Sequence, residues 1–330
     1  MSKILNVIVL VLIGTSILAT TLVDSLGREI DVETPVERVF SDYSLVPPFI
    51  YMLGEKDAFL GGYFFGWRFY ALIDDGISEK LKYGKKLPIE TIISLKPDVY
   101  ITRFSSLKLR EYKQIEDLGI PVMGVNLETI DDINRTVELL GKLFGKEELS
   151  KKITDYYRRV YSEVLKRSKD VVKRPKVLVV YYSGKAHALR TFGGDMFQSV
   201  LVELAGGESV SKELKDKITI NTEQILKWNP DYVFVLQYGK SPEKVKESIL
   251  SDPVLKGVKA VKSERVFLVP NDGENWIDPC PKWTLGLLWI AKVIHPDIFK
   301  DLDLMKEAEY FYREFFNLRL GDVRIKGDGL

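Results

Sequence analysis

The sequence predicts an α/β protein built as two lobes, each with a mostly parallel central sheet and flanking helices, joined by one long rigid helix. Three observations indicate this architecture. Short apolar runs alternate with helical segments, one long amphipathic helix interrupts the alternation in mid-chain, and one motif recurs in both halves. Alternation of strand and helix is typical of α/β layers with parallel sheets.

Composition limits the classes of function. The chain has 330 residues, 45% of them hydrophobic, which is enough for one large or two ordinary domains. Its 48 basic and 47 acidic side chains nearly cancel, so no excess charge is present to hold a nucleic acid. One cysteine and two histidines exclude a disulfide framework and most metal sites built from these residues. We therefore expect no directly bound metal and no resident cofactor.

The amino terminus has the pattern of a secretory signal. Lys3 precedes an apolar run from Ile4 to Ala19, and a basic start before a short apolar stretch is typical of signal peptides. A permanent span needs about 20 apolar residues, so an uncleaved anchor is the alternative. We predict a signal peptide over residues 1–21, export across the cytoplasmic membrane, and a periplasmic or cell-surface location.

The first lobe is predicted over residues 22–145 and the second, with the C-terminal helices and tail, over residues 173–330. Seven runs rich in β-branched and aromatic residues are predicted strands. Several are almost continuously apolar, as strands buried on both faces are. Helices are predicted between them, for example over residues 107–118 and 130–144. The seven runs are 36–42, 59–64, 98–104, 122–126, 177–182, 232–238 and 265–269.

The connecting helix is predicted over residues 146–172. Its apolar residues recur at spacings of three and four, with charged residues between them, which indicates one amphipathic helix. At 1.5 Å per residue its amphipathic part, residues 146–170, is roughly 36 Å long. A crossover helix within a single domain is the alternative. The apolar positions are Leu149, Ile153, Tyr156, Val160 and Val164.

Residues 89–98 and 222–231 form an internal repeat in which Glu, Ile, Pro and Asp coincide. Each unit predicts a short helix that ends before a proline, because the residue preceding proline is driven out of the α region. Each is followed by an apolar strand. The same unit in both halves indicates two similarly built domains.

These features together resemble the substrate-binding proteins of iron-siderophore, haem and cobalamin ABC importers. The glycine pairs Gly193-Gly194 and Gly206-Gly207, and the aromatic-proline segment from Trp276 to Pro296, fit the same family. The resemblance implies a bilobed binder that moves little on binding and works with an ABC importer permease and its ATPase. It also implies that Glu90 and Glu223 dock against arginines of the permease. Stabilisation of a helix amino terminus is the alternative role for both glutamates.

The ligand cleft is expected beyond the carboxyl ends of the strands, as in other open α/β sheets. Aromatic rings beside isolated cations in these loops suit a large, planar or aromatic, anionic ligand. The alternatives are core packing for the rings and surface ion pairs for the arginines. The candidate ligand-binding residues are Trp67, Arg68, Arg103, Trp276, Tyr43, Tyr63, Tyr182, Arg190, Tyr238 and Trp283.

The predicted function is capture of a metal chelate, foremost an iron(III)-siderophore, and its delivery to the permease by a monomeric protein. Cobalamin and haem are the alternatives within this class. The chain has no nucleophile elbow, dinucleotide-binding turn or phosphate loop, so we expect a binding protein and not an enzyme. A secreted hydrolase that uses a carboxylate pair from Asp42, Asp272 and Glu274 is the alternative of another class.

Overall fold

The computed structural model describes residues 18–84, 87–107, 110–238 and 241–330. Residues 1–17 of the predicted signal peptide lie outside this part, so the signal peptide stays a prediction. Its last four residues, 18–21, belong to strand β1 (Leu18–Val23), which pairs antiparallel with β2 (Glu29–Thr34). Within the described residues, no helix has the length and apolar character needed to cross a membrane.

The first lobe contains a four-stranded sheet in the order β4-β3-β5-β6, and all of its pairings are parallel. These strands are almost wholly buried because helices cover both faces, which explains their apolar sequences. The elements are β3 (Val39–Ser41), α1 (Pro47–Met52), β4 (Phe59–Gly61), α2 (Trp67–Tyr70), α3 (Ile77–Leu81), α4 (Ile89–Leu95), β5 (Val99–Arg103), α5 (Arg110–Asp117), β6 (Val122–Val125) and α6 (Ile130–Leu143).

The second lobe contains a six-stranded sheet in the order β10-β8-β7-β11-β12, with β9 paired to β7. β7, β9, β11 and β12 are parallel, whereas β8 and β10 run antiparallel to their neighbours. The elements are β7 (Lys176–Ser183), β8 (Ala188–Phe192), α8 (Phe197–Leu204), β9 (Glu208–Ser209), β10 (Lys217–Thr219), α9 (Thr222–Trp228), β11 (Tyr232–Val235), α10 (Pro242–Ser251), α11 (Lys259–Lys262), β12 (Val266–Leu268), α12 (Trp283–Ile294) and α13 (Leu304–Phe316).

Helix α7 (Glu147–Ser168) lies at the predicted position of the connecting helix and has 22 residues, or about 33 Å. Its apolar stripe, which includes Tyr157 and Val160, is buried. One hydrophobic cluster contains this stripe together with core residues of both lobes, such as Val39 and Val179. The α/β fold with a central sheet in each lobe and a long helix between them is confirmed, and each of the seven predicted runs overlaps a strand.

The internal repeat has one structural role in both lobes. Helices α4 and α9 each end in a left-handed residue, Lys96 (φ 46°) and Asn229 (φ 47°), before the Pro-Asp pair. Asp98 then accepts hydrogen bonds from the backbone N–H groups of residues 37 and 38, at 3.0 and 2.9 Å, at the entry to β3. Asp231 likewise accepts from the N–H of Lys176 at 2.9 Å, at the entry to β7. Each aspartate therefore ties its helix unit to the first strand of its own sheet.

Candidate functional site

The loop after β4 supplies the aromatic wall of the first lobe. Gly66, with φ of 80°, precedes α2 and places Trp67 half-buried and Arg68 in solvent. The Arg68 guanidinium carbon lies 5.1 Å from the centroid of the Trp67 ring. Tyr63 packs edge-on against Phe65, which is 54% exposed. Ring faces and a cation are therefore both accessible in this loop.

Arg103 and Tyr43 lie at the ends of neighbouring strands of the same sheet. Arg103 is exposed at the end of β5 and forms an ion pair with Glu128, which follows β6. Exposed pairs of this kind contribute about 0–1 kcal/mol, so an anionic ligand can compete for the arginine. Tyr43 is half-buried, and burial raises its pKa to about 12 although Arg103 acts in the opposite direction. Its hydroxyl therefore stays protonated at neutral pH.

The wall of the second lobe is formed by β7, β8 and the segment after β11. Tyr181 is paired with Arg190, while Tyr182 points to the opposite face of the strand and is exposed. The Tyr181 ring packs edge-on against Tyr238 at 5.2 Å between centroids. Arg190 donates from Nη2 to the backbone carbonyl of Lys217. The structure therefore joins Arg190 and Tyr238 through Tyr181, a residue not selected from the sequence.

A half-buried carboxylate, Asp278, contacts Tyr238 of this wall. Its Oδ1 accepts hydrogen bonds from the Tyr238 hydroxyl at 2.5 Å and from Gln198 Nε2 at 2.7 Å, and its Oδ2 accepts from Asn275 Nδ2 at 3.2 Å. Burial raises the pKa of Asp278 even though these hydrogen bonds oppose it. Sequence reasoning missed Gln198, on α8, and Asp278, in the loop before α12. It selected aromatic and cationic side chains as ligand contacts and did not consider these polar ones.

Trp276 and Trp283 do not lie at the cleft surface. Both side chains are 0% exposed. The Trp283 ring packs against Tyr157 of α7 and Phe197 of α8, at 5.3 and 6.2 Å between centroids. The structure therefore does not support ligand contact by either tryptophan, and their role is the alternative one of core packing.

A buried charged cluster, formed by Lys282, Glu274, Asp272, Tyr70 and Tyr312, joins the lobes below these walls. Lys282 donates to Glu274 Oε2 at 2.6 Å and lies 3.3 Å from Asp272 Oδ2. Tyr70 donates to the same Glu274 oxygen at 2.9 Å, and Tyr312 donates to Asp272 Oδ2 at 2.6 Å. Since Tyr70 comes from the first lobe and the other four from the second, the cluster is a polar link between them.

The same cluster supports the aromatic loop of the first lobe. A Cβ at Gly66 would lie 2.1 Å from Glu274 Cγ, so the loop backbone packs directly on the glutamate. Burial and the neighbouring Asp272 raise the pKa of Glu274, against the opposing effect of Lys282. Burial disfavours the Lys282 ammonium, but the two carboxylates outweigh it and raise the pKa of Lys282. A charged lysine therefore holds two buried carboxylates where the lobes meet.

This arrangement argues against the hydrolase alternative. Asp272 and Glu274 are enclosed and share one lysine. Asp42 belongs to the other lobe, where the Tyr112 hydroxyl donates to it at 2.6 Å. The three carboxylates therefore do not form the accessible acid pair that a hydrolase requires.

The histidines and the cysteine are dispersed. His187 is exposed in a turn with φ of 48°. His295 is buried, and its Nε2 lies 3.1 Å from the Gly206 carbonyl oxygen. Cys280 is buried. In the part of the chain that the structure describes, no three His, Cys, Asp or Glu residues come together as a metal site.

Glu90 and Glu223 occupy equivalent exposed positions in the first turns of α4 and α9. Neither forms an ion pair with another described residue. Asn221 caps α9 by accepting from the N–H of Gln224 at 2.9 Å, so Glu223 is not needed as the cap. Both carboxylates are therefore available at the surface.

Comparisons with known proteins agree with this architecture. The family model described as periplasmic binding protein matches residues 72–272. The molybdate-binding protein MolA of Haemophilus influenzae is 27% identical over 251 residues, which cover 69% of each chain. The high-affinity heme uptake system protein IsdE of Staphylococcus aureus is 27% identical over 188 residues, which cover 54% of this chain and 62% of IsdE.

Two solved structures share the fold. A periplasmic solute binding protein from Veillonella parvula superposes with a TM-score of 0.77 at 20% identity, covering 91% of this chain and 93% of that chain. Molybdate-bound MolA superposes with a TM-score of 0.77 at 22% identity, covering 91% of this chain and 98% of MolA.

Proposed function

Because the chain belongs to the periplasmic binding protein family, we propose that it is an extracytoplasmic solute-binding protein that captures a metal chelate between its lobes and delivers it to an ABC importer permease. The observation that carries the proposal is that each lobe has an aromatic residue close to an arginine: Trp67 with Arg68 on one lobe, and the buried Tyr181 with Arg190 on the other.

The ligand proposed first is an iron(III)-siderophore, with haem and cobalamin as alternatives. Rings supply contact area and guanidinium groups bind negative charge, which suits a large anionic chelate. The contact residues that we propose are Trp67, Arg68, Arg103, Tyr43, Tyr63, Tyr182, Arg190 and Tyr238.

Molybdate is a second candidate. The similarity to MolA over 69% of both chains supports it, and a small oxyanion would use the arginines without the rings. The two candidates therefore predict different effects of removing an aromatic side chain.

Calorimetric titration with ferric hydroxamate and ferric catecholate chelates, haemin, cyanocobalamin and sodium molybdate tests the ligand. We expect one chelate to bind, and Trp67→Ala and Arg103→Ala each to weaken it about tenfold, while Arg135→Ala, an exposed arginine on α6, leaves it unchanged. If the protein binds only molybdate, and Trp67→Ala does not weaken that binding, molybdate replaces the metal chelate as the proposed ligand. If none of these compounds binds, the proposal is contradicted.

We also propose that Glu90 and Glu223 dock on the permease. Charge reversal at both positions is expected to abolish stimulation of the transporter ATPase while ligand affinity is unchanged. The double variant Glu213→Lys/Glu247→Lys reverses two other exposed charges of the chain and is the matched control. Full stimulation by the Glu90→Lys/Glu223→Lys protein would refute the docking assignment.

A further inference from the structure

Helices α4 and α9 present the same surface on the two lobes. Two positions after each docking glutamate, an isoleucine is buried in its lobe: Ile92 is 3% and Ile225 is 1% exposed. Three positions after it, an aliphatic side chain is exposed: Ile93 at 40% and Leu226 at 42%. All seven helical positions, residues 89–95 and 222–228, agree one for one in being exposed, half-buried or buried. The repeat therefore preserves an outward surface as well as a fold.

Each surface pairs a carboxylate with an aliphatic side chain. Residues three apart on a helix are neighbours on one face, so Glu90 lies beside Ile93 and Glu223 beside Leu226. A single exposed aliphatic residue is ordinary on a soluble protein, and neither Ile93 nor Leu226 alone indicates a partner. What indicates a partner is that both occur at equivalent positions of the repeat. Each also lies next to a glutamate that has no ion pair among the described residues.

We infer that Ile93 and Leu226 are docking residues, and that the permease presents two equivalent recesses, each with a cation beside an apolar surface. This inference rests on the proposed docking function. The carboxylates require cationic partners, and burial of an aliphatic side chain beside an ion pair excludes water and strengthens the pair. Two like surfaces on one chain fit a partner built from two like subunits.

The lobes hold the two surfaces in a fixed relation. Helix α7 shares one hydrophobic cluster with both sheets, and Ile92 and Ile225 anchor α4 and α9 on separate clusters of those sheets. Both surfaces therefore meet the partner at once, and weakening either should weaken docking to a similar degree.

The test uses a permease–ATPase complex in nanodiscs whose ATP hydrolysis is stimulated by the unaltered chain. The concentration of binding protein that gives half-maximal stimulation is measured for Ile93→Ser, Leu226→Ser and the double variant. The control, Val172→Ser/Ile298→Ser, removes two exposed aliphatic side chains elsewhere. We expect this half-maximal concentration to rise about threefold to fivefold for each single variant and more than about tenfold for the double variant. The control should match the unaltered chain.

Ligand affinity and thermal unfolding of every variant establish that the cleft and the fold are intact. The inference is overturned if Ile93→Ser/Leu226→Ser stimulates like the unaltered chain while Glu90→Lys/Glu223→Lys does not stimulate, a result that leaves glutamate docking standing. It is also overturned if only one of the two aliphatic positions has an effect, because equivalence is then lost. Stimulation by the charge-reversed protein would instead refute the docking function itself.

Discussion

Replacement of Lys282 by methionine tests the role of the buried charged cluster. Methionine keeps the length and apolar stem of lysine but removes the ammonium, which lies 2.6 Å from Glu274 Oε2, 3.3 Å from Asp272 Oδ2 and 3.5 Å from the centroid of the Phe69 ring. Two carboxylates are then left buried without a cation. Removing one partner of a buried ion pair costs about 3–5 kcal/mol, and we expect the free energy of unfolding to fall by that amount at pH 7.

Urea unfolding followed by tryptophan fluorescence and by circular dichroism measures the loss, and coincidence of the two curves checks that the transition is cooperative. The companion variant Lys282→Met/Glu274→Gln removes one of the stranded charges. It should recover about 1–2 kcal/mol of the loss, because an amide is cheaper to bury than a carboxylate. This recovery separates an electrostatic cause from a loss of packing.

The pH dependence supplies a second check. The pKa of Glu274 is already raised by burial and by Asp272, and loss of the lysine raises it further. An acid whose pKa is higher in the folded state stabilises the fold below its unfolded pKa, and this stabilisation is lost as pH rises through the folded pKa. The deficit of Lys282→Met should therefore shrink between pH 7 and pH 5. A deficit below about 1 kcal/mol at pH 7, or one that does not change with pH, would refute the reasoning.

Three further predictions test other features. Gly66→Ala should lower the free energy of unfolding by about 2–4 kcal/mol, because of the positive φ and a clash with the buried Glu274. The control Gly54→Ala, at φ of 81° with nothing within 4 Å of the added Cβ, should cost about 1–2 kcal/mol. Equal losses in urea unfolding would contradict the clash. Asp278→Asn should lose less stability between pH 4 and pH 7 than the unaltered chain, because burial raises the pKa of Asp278; parallel profiles would count against this. Asp98→Ala and Asp231→Ala should each cost about 0.5–1.5 kcal/mol through the lost hydrogen bonds to backbone N–H groups, and a loss at only one of them would show that the two units differ.

The strands and the connecting helix were predictable because their signals are local. Strands buried on both faces must be continuously apolar, and a helix that packs along one side must repeat its apolar residues every three to four positions. The repeat was predictable for a similar reason, since the Pro-Asp pair fixes both the end of its helix and the start of the next strand.

The distribution of aromatic residues between cleft and core was not predictable in the same way. Trp67 and Trp283 each lie at the start of a helix, yet Trp67 stays half-buried while Trp283 contacts Tyr157, which is 126 residues away in sequence. The buried cluster gives no local signal either, because Lys282 meets its partners only through tertiary contacts.

The hydrophobic cluster that passes through α7 without a break has a consequence for handling the protein. We expect neither half of the chain to fold independently, because dividing it beside α7 would expose Tyr157 or Trp283 to water. Fragments expressed separately should aggregate or stay unfolded until they are mixed. We therefore expect the whole protein to unfold in one cooperative transition.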